Sequence, residues 1–210
     1  MGAHMRIRQA TLDDLDAVLG IIADGQAALA GLGIDQWQNG YPSHEMIEAD
    51  IAGGHTWLAV ADEAERPGAA DDALDAADGQ SEAEPPTPGT ILGTMAYYAQ
   101  GEPDYDHVTE GAWLTDSAND VARGPVTYAV LHRLAVSARA RRRGVAHALL
   151  ADGIERARAQ GLASVRVDTH EGNIPMQRGF EACGFKRCCA IEISFSNEAT
   201  NRRIGFERVL

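Results

Sequence analysis

Cysteine is scarce in this chain of 210 residues, positive charge is short and no long apolar run occurs. The three cysteines, Cys183, Cys188 and Cys189, give neither a metal-ligand spacing nor an even disulfide framework. Zinc fingers and disulfide-stapled secreted miniproteins are therefore excluded, no metal site is expected, and a reducing cytoplasm fits best. No stretch nears the ~18–20 consecutive apolar residues of a membrane helix, and no signal peptide is expected before Met5, so no membrane partner is predicted. Met1-Gly2-Ala3-His4 reads as an added leader ahead of a native start and is set aside. Lysine and arginine number 18 against 31 acids, a formal charge of −13. Nucleic acid is a poor partner for such a surface, because binding it needs basic side chains that neutralise phosphates. The acidity is also local. Nine acids (Asp62, Glu63, Glu65, Asp71, Asp72, Asp75, Asp78, Glu82 and Glu84) face only Arg66 between Asp62 and Pro85, which puts −8 there and leaves −5 elsewhere.

What remains, residues 5–210, is expected to form one domain. A strand at 6–10 precedes Thr11 and Asp14, spaced as a capping box, and Leu12, Leu15, Val18, Leu19 and Ile22 follow at helical spacing. After a loop of Trp and Gly residues, Pro42-Ser43 opens a second helix with Met46, Ile47 and Ile51 on its apolar face. Strands at 55–62 and 90–99 read as an antiparallel hairpin. Residues 63–88, low in complexity and acidic, lie at its turn as a disordered insertion. Residues 101–125 are polar, with Val108, Trp113 and Leu114 as apolar anchors. Residues 126–136 make the strongest strand, followed by a basic run, a helix at 145–160 and a strand at 164–168. Asn173 caps a further helix with Pro175 in its first turn. Two strands, 188–195 and 203–209, finish the chain as a hairpin. No internal repeat appears. The order β-α-α-β-β-β-α-β-α-β-β predicts a mixed α/β (α+β) fold, a mostly antiparallel sheet flanked by helices.

Arg141-Arg142-Arg143-Gly144-Val145-Ala146 lies between a strong strand and a helix N-terminus. Unpaired N–H groups of a first helical turn, aided by the helix dipole, bind phosphate oxygens. Gly144 and Ala146 leave the backbone open to a pyrophosphate, and the arginines supply charge. The bland alternative is a tight turn beside a solvated basic run. Strand parity places Tyr128, Val130, His132, Leu134 and Val136 on one face and Leu131, Arg133 and Ala135 on the other.

The pattern Arg141-x-x-Gly144-x-Ala146 resembles the acyl-CoA-binding motif of the GCN5-related N-acetyltransferase (GNAT) family, R/Q-x-x-G-x-G/A. Leu134-Ala135-Val136 matches that family's fourth strand. Asn173-x-x-Met176-x-x-x-Phe180-x-x-x-Gly184-Phe185 is similar to its second motif, N-x-x-A-x-x-x-Y-x-x-x-G-F. The segments around His132, Asp168-Thr169-His170 and residues 33–42 look like a bacterial branch of the family with unassigned substrates.

The resemblance implies the acyl-CoA N-acyltransferase fold and acetyl-CoA (coenzyme A after transfer) bound where the family's fourth and fifth strands splay. The cofactor-binding set it gives is Leu134, Ala135, Val136, Arg141, Arg142, Arg143, Gly144, Val145, Ala146, Asn173 and Phe180. Leu134 and Val136 would pair with the pantetheine arm, residues 141–146 would cradle the pyrophosphate, and Asn173 would reach the pantetheine or the thioester. In this family an amine attacks the thioester directly, without an acyl-enzyme. Phe180 stands where many members have a tyrosine that protonates the departing thiolate, which leaves water for that proton. A thiolate leaves tolerably without an acid.

The candidate catalytic residues are His132, His170 and Asn173: the histidines as bases, since imidazole suits proton uptake near neutrality, and Asn173 through its implied reach to the thioester; a packed core histidine is the alternative for His132. Arg133 and Asp168 are read as a structural pair across neighbouring strands. Glu102, Asp104, Asp106, Glu110, Asp116 and Asp120 make an acidic segment suited to attracting a cationic amine or simply to solvation. Trp37, Tyr41 and Glu110 are the candidate acceptor residues, with Trp113 a weaker one. The expected activity is N-acetyl transfer to a small-molecule amine or amino-acid-like acceptor. The alternatives are an acyl-CoA-binding sensor or structural protein without transfer, and a protein N-acetyltransferase. Pairing into a homodimer is plausible on family grounds.

Overall fold

The computed structural model of the chain describes residues 5–62, 86–115, 125–194, 198 and 200–210. Its strands, in chain order, are β1 (Met5–Gln9), β2 (Thr56–Ala61), β3 (Ile91–Tyr98), β4 (Val108–Gly111), β5 (Tyr128–Val136), β6 (Ser164–Thr169), β7 (Lys186–Glu192) and β8 (Arg202–Val209). They form one sheet in the order β1-β2-β3-β5-β6-β8-β7-β4. Only β5 and β6 pair in parallel; the other neighbours are antiparallel. The helices are α1 (Leu15–Gly31), α2 (His44–Ala52), α3 (Val145–Ala159) and α4 (Ile174–Ala182). Among the described residues, no helix is long and apolar enough to cross a membrane.

Strand alternation divides the core in two. Leu58 and Val60 of β2 join Val18, Ile21 and Ile22 of α1 and Ile47 and Ile51 of α2. Ala59 and Ala61 point the other way, into the core under α3 with Leu149, Leu150, Ile154 and, from α4, Phe180. The capping box behaves as its residues suggest: Asp14 Oδ2 accepts from the Thr11 backbone N–H at 2.8 Å and from the Thr11 hydroxyl at 3.0 Å. Arg8 grips the same carboxylate bidentately at 2.7 and 2.8 Å and so ties β1 to the helix start. Hydrogen bonding to Arg8 holds the Asp14 carboxyl well below the usual carboxylate range.

The β2–β3 hairpin closes at Ala61, which donates to Thr90 O at 2.8 Å and accepts from Gly89 N–H at 2.9 Å. Most of the acidic stretch expected to be a disordered insertion, residues 63–85, lies outside the described residues. Because the ladder is complete without it, replacing residues 63–85 by a short turn is expected to shift the melting temperature by less than about 3 °C. Differential scanning calorimetry of the shortened chain checks this, and a large loss would mean that the segment packs on the body.

The structure refines or changes the sequence expectations at four points. First, the polar segment after Gly101 carries a short helical turn (Pro103–Asp106) and the edge strand β4, which pairs with β7. Such a short, charged strand has no readable alternation. Second, the terminal hairpin forms as expected, β7 pairing antiparallel with β8, and it is β8, the later strand, that lies beside β6. Third, the first turn of the N-terminal helix is a 3-10 turn (Leu12–Asp14), so Leu12 faces solvent, 53% exposed, instead of joining the apolar stripe.

The fourth change matters most. Uniform parity along β5 fails at Arg133, whose φ of 52° lies in the left-handed region. There the register with β3 slips between the Ala96–His132 and Thr94–Ala135 pairs. This is a β-bulge, which re-aims the residues that follow it. Leu134 and Val136 consequently pack with Leu131 under α3, and Ala135 turns to the α1 side. His132 and Leu134 do not share a face. Arg133 also does not pair with Asp168; it pairs with Asp50 of α2.

Candidate active site

β5 and β6 begin as partners and then separate. Their pairing runs from Tyr128–Ser164 to Val130–Arg166 and stops, although β5 continues to Val136 and β6 to Thr169. Below the fork the joint is rigid. Fully buried Arg166 binds Glu207 of β8 at 3.0 Å and lies between the rings of Tyr128 and Trp113, at 3.9 and 4.5 Å. Above it, the backbone of residues 131–136 offers unpaired groups on the β6 side, suited to an extended amide-bearing arm. A cavity of about 590 Å³ occupies the fork, within the range of small-ligand sites. Leu131 to Val136, Thr169, Asn173, Met176 and Phe180 line it.

At one end the cavity meets the basic loop. Gly144 is the N-cap of α3 at φ 79°, and no side chain caps this end. Ala148 is the first residue whose N–H reaches back into the helix, to Gly144 O at 3.0 Å. The N–H groups of Val145, Ala146 and His147 are therefore left to a ligand or water. A Cβ built on Gly144 would meet nothing within 4 Å, so open space lies against the backbone where a pyrophosphate would rest. Arg142, at φ 63°, helps form the turn. Arg141, Arg142, Gly144, Val145, Ala146 and His147 line a side pocket of about 260 Å³ that continues from the cleft. Asp24 of α1 fixes this loop by accepting from Ala138 N–H at 2.8 Å and from Arg141 Nη2 through its carbonyl at 3.2 Å. The residues fit the pyrophosphate of coenzyme A.

At the opposite end stands His132. Its Nε2 lies 2.9 Å from Glu102 Oε2, and the two side chains are about three-quarters buried. Burial pushes the Glu102 carboxyl up, but the His132 hydrogen bond and charge, the Asp104 N–H and Arg133 outweigh it and hold the group below its ordinary value. Ionised Glu102 can only accept, so Nε2 carries the proton and Nδ1 is the ring's acceptor. Glu102 was one of six undistinguished acids in the sequence; only the folded chain singles it out.

Tyr105 and Tyr98 flank the imidazole, with ring centroids 6.1 and 5.9 Å away. Tyr105 is buried and donates to Asp168 Oδ1 at 2.8 Å. Trp37 and Tyr41 line the cavity as expected, and burial pushes the Tyr41 phenol up, which keeps it a neutral hydroxyl. The 34–42 loop that carries them is tied down across the cleft. Trp37 N–H donates to Glu198 Oε1 at 3.2 Å, Gln36 Oε1 accepts from His170 N–H at 3.2 Å, and Glu198 pairs with buried Arg203.

Other candidates fall elsewhere. Glu110 sits on edge strand β4, 71% exposed and paired with Arg202, away from the cavity. Its alternation with buried neighbours could not be judged without knowing that β4 is an edge. His170 does not line the cavity; its Nδ1 accepts from Gly172 N–H at 3.0 Å and shapes the turn into α4. Asn173 caps α4 by accepting from Met176 N–H at 3.3 Å, and its amide donates to Thr169 at 3.1 Å. Phe180 is buried against Phe185 and Phe206, so it shapes the cavity wall and offers no proton. Trp113 covers the core, its ring N–H donating to Tyr105 O at 2.7 Å.

Glu102→Gln is expected to lower kcat/KM by about tenfold to a hundredfold, less than loss of the imidazole itself. Steady-state kinetics of the variant, paired with a thermal melt, test this; an unchanged kcat/KM would separate the pair from the chemistry.

Comparison with known proteins agrees with this geometry. The model of the acetyltransferase (GNAT) family matches residues 34–185. A GNAT-family acetyltransferase structure from Streptococcus agalactiae 2603 is 25% identical, covering all of this chain and 98% of its own, with a TM-score of 0.70. A GCN5-related N-acetyltransferase from Kribbella flavida is 18% identical over 98% of each chain, TM-score 0.58. Arabidopsis thaliana NAA60, solved in complex with acetyl-CoA, is 17% identical over 99% of each chain, TM-score 0.60. No curated protein sequence matches. With the family model spanning the fork, the basic loop and α4, the chain belongs to the GNAT family of acetyltransferases, whose acyl donor is acetyl-CoA.

Proposed function

We propose that the cleft transfers an acetyl group from acetyl-CoA directly to the amine of a small-molecule acceptor, with His132 taking the amine proton. One observation carries the small-molecule reading. The 34–42 loop is tied across the cleft to Glu198 and to the turn at His170, and this supports a bounded acceptor end sized for a small molecule.

Acetyl-CoA, when bound, supplies the acetyl thioester. The open backbone of residues 131–136 aligns its pantetheine arm, and the N-terminus of α3 with Arg141–Arg143 holds its phosphates. Glu102 keeps the His132 proton on Nε2. The incoming ammonium then gives its proton to Nδ1, directly or through one water, and the neutral amine can attack. Phe180 has no proton to give the thiolate, so water does.

Release of free thiol with small primary amines, compared with N-terminal and lysine peptides, tests the assignment. Turnover confined to small amines is the expected result; a preference for peptides would overturn it. Phe180 is the one observation in favour of a protein that binds acyl-CoA without transferring it.

A further inference from the structure

We propose that the acceptor carries a carboxylate as well as its amine, and that Arg133 reads it; the acceptor is an amino acid. This rests on the transfer reading above and adds the residue that would set its substrate class.

Arg133 is the immediate neighbour of His132, at the bulge of β5. Its left-handed φ of 52° is a conformation that residues other than glycine seldom hold without a reason. The bulge turns the guanidinium toward the acceptor side, and Arg133 lines the cavity with a side chain only 12% exposed. One of its nitrogens is well anchored. Nη1 donates to Asp50 and, at 3.2 Å, to the Tyr98 hydroxyl, which itself donates to Asp50.

The other edge is less committed. Nε is buried and has no hydrogen-bond partner among the described residues, while the guanidinium lies beside Tyr41, its centre 5.9 Å from the ring, with the Tyr41 hydroxyl interacting with it. Buried donors are nearly always satisfied, so an orphan on a cavity wall calls for a ligand. Nε and Nη2 form the side-on fork of a guanidinium, whose parallel N–H groups match the two oxygens of a carboxylate. Anchoring through Nη1 pre-orients that fork.

Charge favours a zwitterion over a plain anion. Glu102 and Asp168 stand near the Tyr41 hydroxyl together with Arg133. A molecule with an ammonium on the Glu102–His132 side and a carboxylate at Arg133 satisfies both signs. An amine without a carboxylate leaves the fork empty.

Wild-type enzyme with each common L-amino acid and its methyl ester tests this without mutation. The free acid is expected to exceed its ester by about 10²-fold in kcat/KM for the preferred side chain, the scale of a lost pair of charge-assisted hydrogen bonds. Arg133→Lys keeps a cation for Asp50 but lacks the fork, and the acid-to-ester ratio should fall toward one, mainly through KM. Melting temperature and CoA affinity report whether that variant is folded. Esters turned over as well as acids by the wild type would overturn the proposal. Should no amine release thiol, the transfer reading fails, and calorimetry of the same amino acids against the CoA-bound protein decides the carboxylate claim alone. Binding lost in Arg133→Lys supports it, and the absence of binding to the wild type refutes it.

Discussion

Gly144→Asp is expected to weaken CoA binding by about 10³-fold with little change in the fold. Gly144 sits at φ 79° at the start of α3, and a Cβ there meets no atom within 4 Å. Aspartate tolerates the left-handed region better than most residues, so the body of the protein should accept it. The space it fills, however, is the approach to the free N–H groups of Val145, Ala146 and His147. One negative charge about 4 Å from another costs on the order of 4 kcal/mol at the dielectric typical of such sites, which is a factor of about 10³ in affinity. Gly144→Ala, with strain but no charge, should lose much less. Calorimetry with CoA, paired with thermal melts, checks the pair; near-wild-type affinity for the aspartate variant would move the pyrophosphate elsewhere.

His132→Ala is expected to lower kcat/KM by about 10²–10⁴-fold, the range for loss of a general base. CoA affinity should hold, because the groups assigned to it lie along the backbone of residues 131–136 and in the 141–146 loop. A simple alkylamine ionises near ~10, so an acceptor of lower pKa, already neutral at the assay pH, should show a smaller loss. His132 and Glu102 are 2.9 Å apart and act on one proton. Groups that work as a unit are strongly non-additive, so the double variant His132→Ala, Glu102→Gln should be little worse than His132→Ala alone. An intact rate in His132→Ala would make the imidazole a packing residue.

The elements that carry the donor site were readable because their signals are local. Thr11 and Asp14, Ser43, Gly144 and Asn173 each stand at a helix start and act there, and a glycine between a strand and a helix leaves backbone donors exposed whatever surrounds it. The acceptor side was not readable in the same way. Its geometry depends on the bulge at Arg133, where one extra residue reverses the parity of β5, and sequence alternation gives no warning of such an insertion. Glu102 looked like its acidic neighbours because only tertiary structure brings it beneath His132. Glu110 and His170 were chosen on charge and position in the chain, yet one lies on an edge strand and the other is spent on a turn. Arg133 was read as half of an ion pair, and it is one, but with Asp50 in place of Asp168. Asp50 lies 83 residues away in α2, a distance no spacing rule spans.

The central claim is direct, amine-dependent transfer from this cleft. It is tested by mixing the protein with acetyl-CoA and following free thiol, N-acetyl product and intact protein mass together, with and without acceptor. The account predicts no thiol release without an amine, one thiol for each N-acetylated amine when it is present, and an unchanged protein mass throughout. Acetyl-CoA that binds yet releases no thiol with any amine, or a protein that itself gains an acetyl group during turnover, would contradict it.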